Sequence, residues 1–315
     1  MKVLVTGGTG FVGRSVVRHL IEAGHTVRTL LRPGPQSPRL PPGVPIQVAL
    51  AGLSDRRGVQ AALVGMQAVV HLASEERSGN EARLQATDVE GSRVLAEAAA
   101  QAGIQRILFL SHLGADRAAA YPVMRAKAQV ESFLRDSGVP HTILRSGLAY
   151  GEFDRFTTSL AMSLAVSPGF FPLVGDGHSR LQPIWVEDLA TAITWALEEP
   201  ALADRTHEIG GPEHLTIEEI VNLVMLACGA RRLLWRLSPP YARAWLWIAG
   251  RLLRRPAFNG FWVDYLAVDR TTSLDSLPRL LGLQPARMEH RLEHLHGGHW
   301  GRAYLARQFA RQAGA

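Results

Sequence analysis

The chain has 315 residues, 47% of them apolar and 20% charged, enough to bury a sizeable core in one large domain or two joined ones. A single cysteine, Cys228, excludes a disulfide framework and a cysteine metal site. The net charge of +6 is concentrated at one end: from Arg231 onward there are 14 Arg, no Lys and 5 acidic residues, which points to an anionic surface. Met1 enters an apolar strand without a signal-peptide pattern, and no uncharged apolar run reaches the roughly 18–20 residues of a spanning helix. The expected location is cytoplasmic.

The first predicted elements lie in KVLVTGGTGFVG. Val3 to Val5 reads as a strand buried on both faces, and Arg14 to Ala23 as a helix with Val16, Val17, Leu20 and Ile21 on one face. Between them Gly7, Gly10 and Gly13 are spaced G-x-x-G-x-x-G. Strand, glycine turn and helix present backbone N–H groups and a helix N-terminus to a pyrophosphate. Thr6, Gly7, Gly10, Phe11, Val12 and Gly13 are therefore candidate cofactor contacts. His25 to Leu31 is a second strand. It ends in Leu30-Leu31-Arg32, with no acid to bind a ribose 2′-hydroxyl. Arg32, helped by Arg28, favours NADP(H) over NAD(H); the alternative is a solvated loop arginine.

Pro33 to Pro45 reads as a loop, Pro45 to Leu50 as a strand, and Ser54 to Val64 as a helix with Asp55 in its first turn. Gln67 to Ala73 is a strand with Ala73-Ser74 at its C-terminal end, where open α/β sheets bind ligands. Asn80 to Ala102 reads as one long helix closed by Gly103. Arg106 to Leu110 is a strand ending at Ser111-His112, Val123 to Asp136 a helix, and His141 to Leu144 a strand. This alternation predicts a doubly wound parallel sheet over residues 1–150. Beyond it, Phe156 to Val166 reads as a helix, Ser167 to Gly177 as a loop, Pro183 to Val186 as a strand and Glu187 to Glu198 as a helix. Thr206 to Ile209 is a strand, and Thr216 with Glu219 forms a capping box for a helix running to Cys228. The strand near 183–186 and the helix near 187–198 are expected to return to the first domain or border it. Residues 151–295 form a smaller, mostly helical, substrate-like domain, and 296–315 a basic amphipathic tail.

The ordered segments TGGTGFVG, SHLGAD before RAKAQVESFLRDSG, HTILRSGLAYG, QPIWVEDLATAI and HEIGGPEHLTIEEI resemble the atypical short-chain dehydrogenase/reductases. With DYLAVDRTTSLDSLPRLLGLQP they most resemble the group containing the short-chain-dehydrogenase-like accessory subunit of respiratory complex I. The resemblance runs from Met1 to about Leu295. It implies a Rossmann fold with NADP(H) lying across Gly7, Gly10, Gly13, Arg32, Leu72-Ala73-Ser74, Ser111, Lys127 and Leu144-Arg145-Ser146-Gly147. One departure lies on the adenine side, where the family's Gly-Asp-Leu is replaced by Ala51-Gly52-Leu53 and an acceptor is lost.

In short-chain reductases a Tyr donates the proton and a Lys four residues later lowers its pKa, both on one helical face. Lys127 matches the lysine, but the residue four before it is Val123. Tyr121 lies on a different face, followed by Pro122 as at a helix start, and an alternative register pairs it with Arg125. The catalytic candidates are thus Lys127, Ser111 and Tyr121. His112 either substitutes as the acid or caps a strand end. The cofactor half of the site is kept and the chemical half lost.

Tyr241 to Arg255 reads as a helix with Arg243, Arg251, Arg254 and Arg255 on one side. Tyr241, Trp245, Leu246, Ile248, Ala249, Leu252 and Leu253 lie opposite, and Trp247 falls on the basic side. Either it lies in a membrane interface, extended by Phe258, Phe261 and Trp262, or its apolar face is core. In the tail Trp300, Tyr304, Leu305 and Phe309 recur at helical spacing among Arg302, Arg307 and Arg311. His290 and His294 are i, i+4 beside His296 and His299, without the acid or Cys a metal site needs. No metal is expected, and nucleic acid ranks last for want of a recognition motif. The sequence therefore predicts an NADP(H)-binding accessory subunit or assembly factor of a membrane redox complex, peripheral at the cytoplasmic face. Its expected partners are the subunits of that complex and the membrane surface, met through Tyr241 to Trp262 and the tail Trp300 to Arg311. The alternatives are a reductase or epimerase on a small or lipid-like substrate, and a nucleotide-sensing regulator.

Overall fold

Short apolar strands separated by amphipathic helices can bury both faces only as a helix-covered parallel sheet. The computed structural model describes residues 1–34, 40, 43, 45–78, 80–252 and 258–309 and has that sheet. Its strands are β1 (Lys2–Thr6), β2 (Thr26–Leu31), β3 (Ile46–Leu50), β4 (Ala68–His71), β5 (Arg106–His112) and β6 (His141–Ser146). The second half supplies the short strands β7 (Ala149–Tyr150), β8 (Phe170–Val174), β9 (Arg180–Leu181) and β10 (Ile184–Trp185). It also supplies β11 (Arg205–Ile209), β12 (Leu215–Thr216) and β13 (Leu233–Leu237). The seven-stranded sheet has the order β11-β6-β5-β4-β1-β2-β3 with every pairing parallel. This is the Rossmann order, with its switch point between β1 and β4.

The helices are α1 (Phe11–Glu22), α2 (Arg56–Leu63), α3 (Glu81–Leu84), α4 (Gly91–Gln101), α5 (Pro122–Asp136) and α6 (Phe156–Val166). They continue with α7 (Val186–Glu198), α8 (Ile217–Cys228), α9 (Pro239–Leu252), α10 (Gly260–Leu266), α11 (Ser276–Leu281) and α12 (Trp300–Phe309). Two compact units result. The first is Met1–Ser146, Val186–Ile209 and Ser276–Leu283 and holds the large sheet. In it α7 packs on α1, where Glu187 accepts from Ser15 at 3.0 Å and pairs with His19 at 2.9 Å. The second is Gly147–Trp185, Gly210–Asp275 and Gln284–Ala315.

Several elements differ from the sequence reading. Helix α1 begins at Phe11, three residues before Arg14, because Gly10 is its N-cap. Asp55 is the N-cap of α2, accepting from the Gly58 amide, rather than part of its first turn. The long helix from Asn80 is interrupted by a π-helical turn, Gln85–Glu90, which carries Asp88. The stretch 167–177 is not all loop: β8 pairs in parallel with β13, and the ladder holds extended a segment that Pro172 and the flanking Gly169 and Gly175 make read as loop.

The second unit also corrects the picture of the basic end. Phe261 and Trp262 are buried on α10, where Trp262 meets Phe156 at 4.9 Å between ring centres, so they extend no surface. His290 and His294 sit on separate 3₁₀ turns, Met288–His290 and Glu293–Leu295, and His294 pairs with the Thr157 hydroxyl at 3.0 Å. On α9, Tyr241 and Trp247 are 70% and 60% exposed, Arg251 stacks 4.0 Å over Trp247, and Arg243 pairs with Asp264. Leu253, Arg254, Arg255, Arg311 and the side chains of Trp245, Leu246, Ala249 and Leu252 lie outside the described residues. Tail helix α12 packs on α6. Among the described residues no helix is long and apolar enough to cross a membrane, and no three His, Cys, Asp or Glu are grouped to hold a metal.

Candidate functional site

The C-terminal ends of β1 and β4 meet at the glycine turn. Gly7 takes φ +74°, a left-handed conformation that a side chain disfavours. A Cβ on Gly13 would lie 2.1 Å from the Gly7 carbonyl oxygen, so helix and strand approach there only because residue 13 is glycine, while a Cβ on Gly7 would strike the Leu72 and Ala73 backbone at the end of β4. Gly13→Ala should therefore cost about 1–3 kcal/mol of stability and abolish nucleotide binding, as read by chemical denaturation and titration. No side chain caps α1, which leaves its first-turn amides facing the turn. Beneath lies a buried chain of polar groups. The Leu72 and Ala73 amides donate to Thr6 Oγ1 at 3.3 Å, Thr6 Oγ1 meets His71 Nδ1 at 2.6 Å, and His71 Nε2 meets Ser92 at 2.8 Å. Burial, with Lys127 second, pushes His71 down to about 3.

Lys127 is buried on α5. Its partners are Glu76 at 3.3 Å, Asp88 at 3.9 Å and the Phe109 ring at 5.4 Å. His112 Nε2 reaches the same Glu76 oxygen at 2.9 Å. Ser74 donates to Glu76 at 3.1 Å and to Asp88, and Asp88 also accepts from the Glu75 amide at 2.7 Å. Burial pushes the Asp88 carboxyl up, and Lys127 offsets this only in part. Two basic groups thus converge on two carboxylates at the ends of β4 and β5, a cluster able to hold and redistribute protons.

Successive strand residues face opposite ways. Ser111, next to His112, is turned to α5 and donates to Glu131 at 2.7 Å. Glu131 is fully buried and also receives Arg145 Nε at 2.9 Å and Arg145 Nη2 at 2.8 Å, with Arg135 at 2.9 Å. Burial opposes its charge, but these donors prevail and hold the carboxyl below its ordinary range. Ser111 and the Arg145 side chain thus answer Glu131, one turn along α5 from Lys127, and are not among the partners of Lys127. Tyr121 is the N-cap residue of α5 and is not among the partners of Lys127, while Arg125 donates to the Ala119 and Ala120 carbonyls. Arg32 pairs with Glu75 at 2.7 Å and is 70% exposed. Arg28 is unavailable to a nucleotide: it is tied to Gln47 and the carbonyls of Ala62 and Val64.

Residues 7–156 match the model of a family described as NAD(P)H-binding. A mitochondrial NADH dehydrogenase [ubiquinone] 1 alpha subcomplex subunit 9 from Arabidopsis thaliana is 29% identical, covering 70% of this chain and 56% of its own length. The photosystem II assembly factor Ycf39 of Trieres chinensis is 27% identical over 71% of this chain and 68% of its own. Residues 7–156 thus carry an NAD(P)H-binding domain, and the chain is similar to this set of short-chain-dehydrogenase-like accessory and assembly proteins. It thus spans little more than half the length of the first of these relatives. A 2-alkyl-3-oxoalkanoate reductase of Stenotrophomonas maltophilia, also 27% identical, covers 90% of this chain and 95% of its own. The solved structure of gox2253 superposes with a TM-score of 0.75 at 22% identity, over 98% and 99% of the two chains, which shows the fold.

Against that family, three carboxylates were missed by sequence reasoning. Asp88 continues the inward stripe of Leu84, Ser92 and Leu95, and Glu131 that of Lys127 and Leu134; a charge on a buried stripe was the available signal. Glu76 lies in a short 3₁₀ turn after β4, where no periodicity marks it.

Proposed function

We propose that the chain binds NADP(H) at the glycine turn and serves as an accessory subunit or assembly factor of a membrane redox complex, respiratory or photosynthetic, without turning the nucleotide over. The observation that carries this reading is Val123, four residues before Lys127, where a short-chain reductase needs a proton donor. The names of the complex I and photosystem II relatives support it. The residues fit the nucleotide. Thr6 to Gly13 and the uncapped start of α1 would hold the pyrophosphate, and Leu72-Ala73-Ser74 and the main chain of Leu144 to Gly147 would border the rest, whereas the Ser111 hydroxyl and the Arg145 side chain are committed to Glu131. Lys127 would exchange Glu76 for a ribose hydroxyl. The bound nucleotide would supply a hydride only in the reductase reading given below.

Arg32 supports NADP(H) over NAD(H), because exchanging an exposed pair with Glu75 for a 2′-phosphate costs little. NADPH should bind tighter than NADH in calorimetric titration, and Glu75→Gln should tighten NADPH by about fivefold; tighter NADH would refute the preference. Attachment at a membrane surface through α9 is supported by exposed Tyr241, Trp247 and Ile248 beside Arg251. Each arginine near an anionic leaflet adds roughly 1 kcal/mol. Trp247→Ser with Ile248→Ser should reduce co-sedimentation with anionic vesicles; unchanged sedimentation would exclude this helix.

A second reading, a reductase of 3-oxo acids, is favoured by the near-full-length reductase relative and by a His112–Glu76 pair able to carry a proton. Steady NADPH oxidation with such a substrate, lost in Lys127→Ala, would select it.

A further inference from the structure

The second unit contains a cleft of about 490 Å³ between the ends of α6 and α8 and the start of α12. Its charged lining is Arg232 and Arg302, with the His299 imidazole beside them and no carboxylate. The Arg232 guanidinium is anchored by the Arg231 carbonyl at 2.8 Å and the Ala165 carbonyl at 3.5 Å, yet its Nε is buried and without a partner among the described residues. Arg302 and the His299 ring make no hydrogen bond or ion pair with the described residues. Helix α12 begins here, with Ala303 donating to the His299 carbonyl at 2.9 Å, so Gly301 and Arg302 bring first-turn amides to the rim. The opposing dipole of α8 is blunted, because the Gly229 and Ala230 amides already occupy the carbonyls of Leu226 and Met225.

A buried, unpartnered guanidinium donor in a cleft with two further basic side chains and no acid asks for an anion with several acceptor oxygens. We propose that this cleft binds a phosphate group, held by Arg232 and Arg302 and by the amides at the start of α12. The phosphate belongs either to a phospholipid headgroup or to a soluble phosphate compound. Arg232 leads directly into β13, whose Leu233 and Trp235 are exposed, so both sources can reach it. The site is independent of the nucleotide reading, since every lining residue lies in the second unit.

Cys228 lines the cleft and is the chain's single cysteine, so its reaction with a maleimide reports occupancy without engineering. The full chain is labelled in inorganic phosphate, in phosphatidylcholine vesicles with and without phosphatidic acid, and in sodium chloride of matched ionic strength. Phosphate, or the phosphatidic acid vesicles, should slow labelling at least fivefold over the matched control. Protection by phosphate identifies a soluble source, and protection by the vesicles alone a headgroup. Arg302→Gln, at an exposed position, should abolish most of the protection, and Arg232→Gln the rest, with NADPH titration unchanged in both. Should Arg232→Gln misfold, Arg302→Gln and the salt-matched control still decide. No protection by either probe, or equal protection in Arg302→Gln, would overturn the proposal.

Discussion

Acid should destabilise this protein from about pH 6.5 downward, above the range in which carboxylates protonate. The unfolded His71 takes up a proton near 6.5, whereas the folded one, held down by burial and by Lys127, waits until about pH 3. Its contribution is complete above 6.5 and is lost as pH falls through that window, at about 1.4 kcal/mol per pH unit. His25, His207 and His294 are also lowered, chiefly by burial, and add with the same sign. The geometry explains the dominance of His71. Thr6 Oγ1 accepts the Leu72 and Ala73 amides, so its own proton is assigned to His71 Nδ1, and Nε2–H to Ser92. A second ring proton would confront that of Thr6 and loosen the strand end beside the glycine turn. Urea unfolding between pH 4.5 and 7.5 reads this directly. His71→Gln should be less stable at neutral pH by about 1–3 kcal/mol and show a flatter slope below 6.5. A wild-type curve that is flat in this window would contradict the assignment.

Removing Glu131 should be among the most damaging single substitutions in the first unit. Its carboxylate is wholly buried and answers Arg145 with both oxygens, together with Ser111 and Arg135. Glu131→Ala leaves the partly buried Arg145 guanidinium with only the half-exposed Glu208 at 3.8 Å, a change that costs about 3 kcal/mol, the low end for a broken buried pair. Glu131→Gln keeps the shape and should cost less. Glu131→Met with Arg145→Met should recover much of the loss, because neither charge then needs an answer. Thermal unfolding of the four proteins separates these outcomes; equal stability of Glu131→Ala and wild type would refute the role. With its carboxyl held low, Glu131 contributes fully above about pH 4.5 and loses that contribution as pH falls through its lower folded value. Asp88 acts in the opposite sense: its raised carboxyl favours folding at low pH, and that favour fades as pH rises through the folded value.

What could be read from the sequence was whatever local chemistry dictates. The capping box of Thr216 and Glu219 is present with both of its bonds, Pro122 is the first residue of α5, and Gly13 marks a contact too close for a Cβ. These signals act within a turn or two of chain. The rest depends on partners distant in sequence. Phe170–Val174 is a strand because Leu233–Leu237 lies beside it. Trp262 reads as an interfacial aromatic until Phe156 is found 4.9 Å away. Glu76 is an ordinary loop acid in the sequence, and only the convergence of β4, β5 and α5 makes it the partner of both His112 and Lys127. Lys127 stood out in the sequence, but its partners Glu76 and Asp88 did not.

A complex-bound, non-catalytic role is tested most directly by native-gel migration of the tagged chain solubilised gently from its source membranes. Bound nucleotide is then measured in the excised band. The chain should run with a membrane redox complex and carry NADP(H). A chain that runs alone at its own mass of 34.4 kDa and oxidises NADPH with a 3-oxo acid would contradict this role and make it an independent reductase.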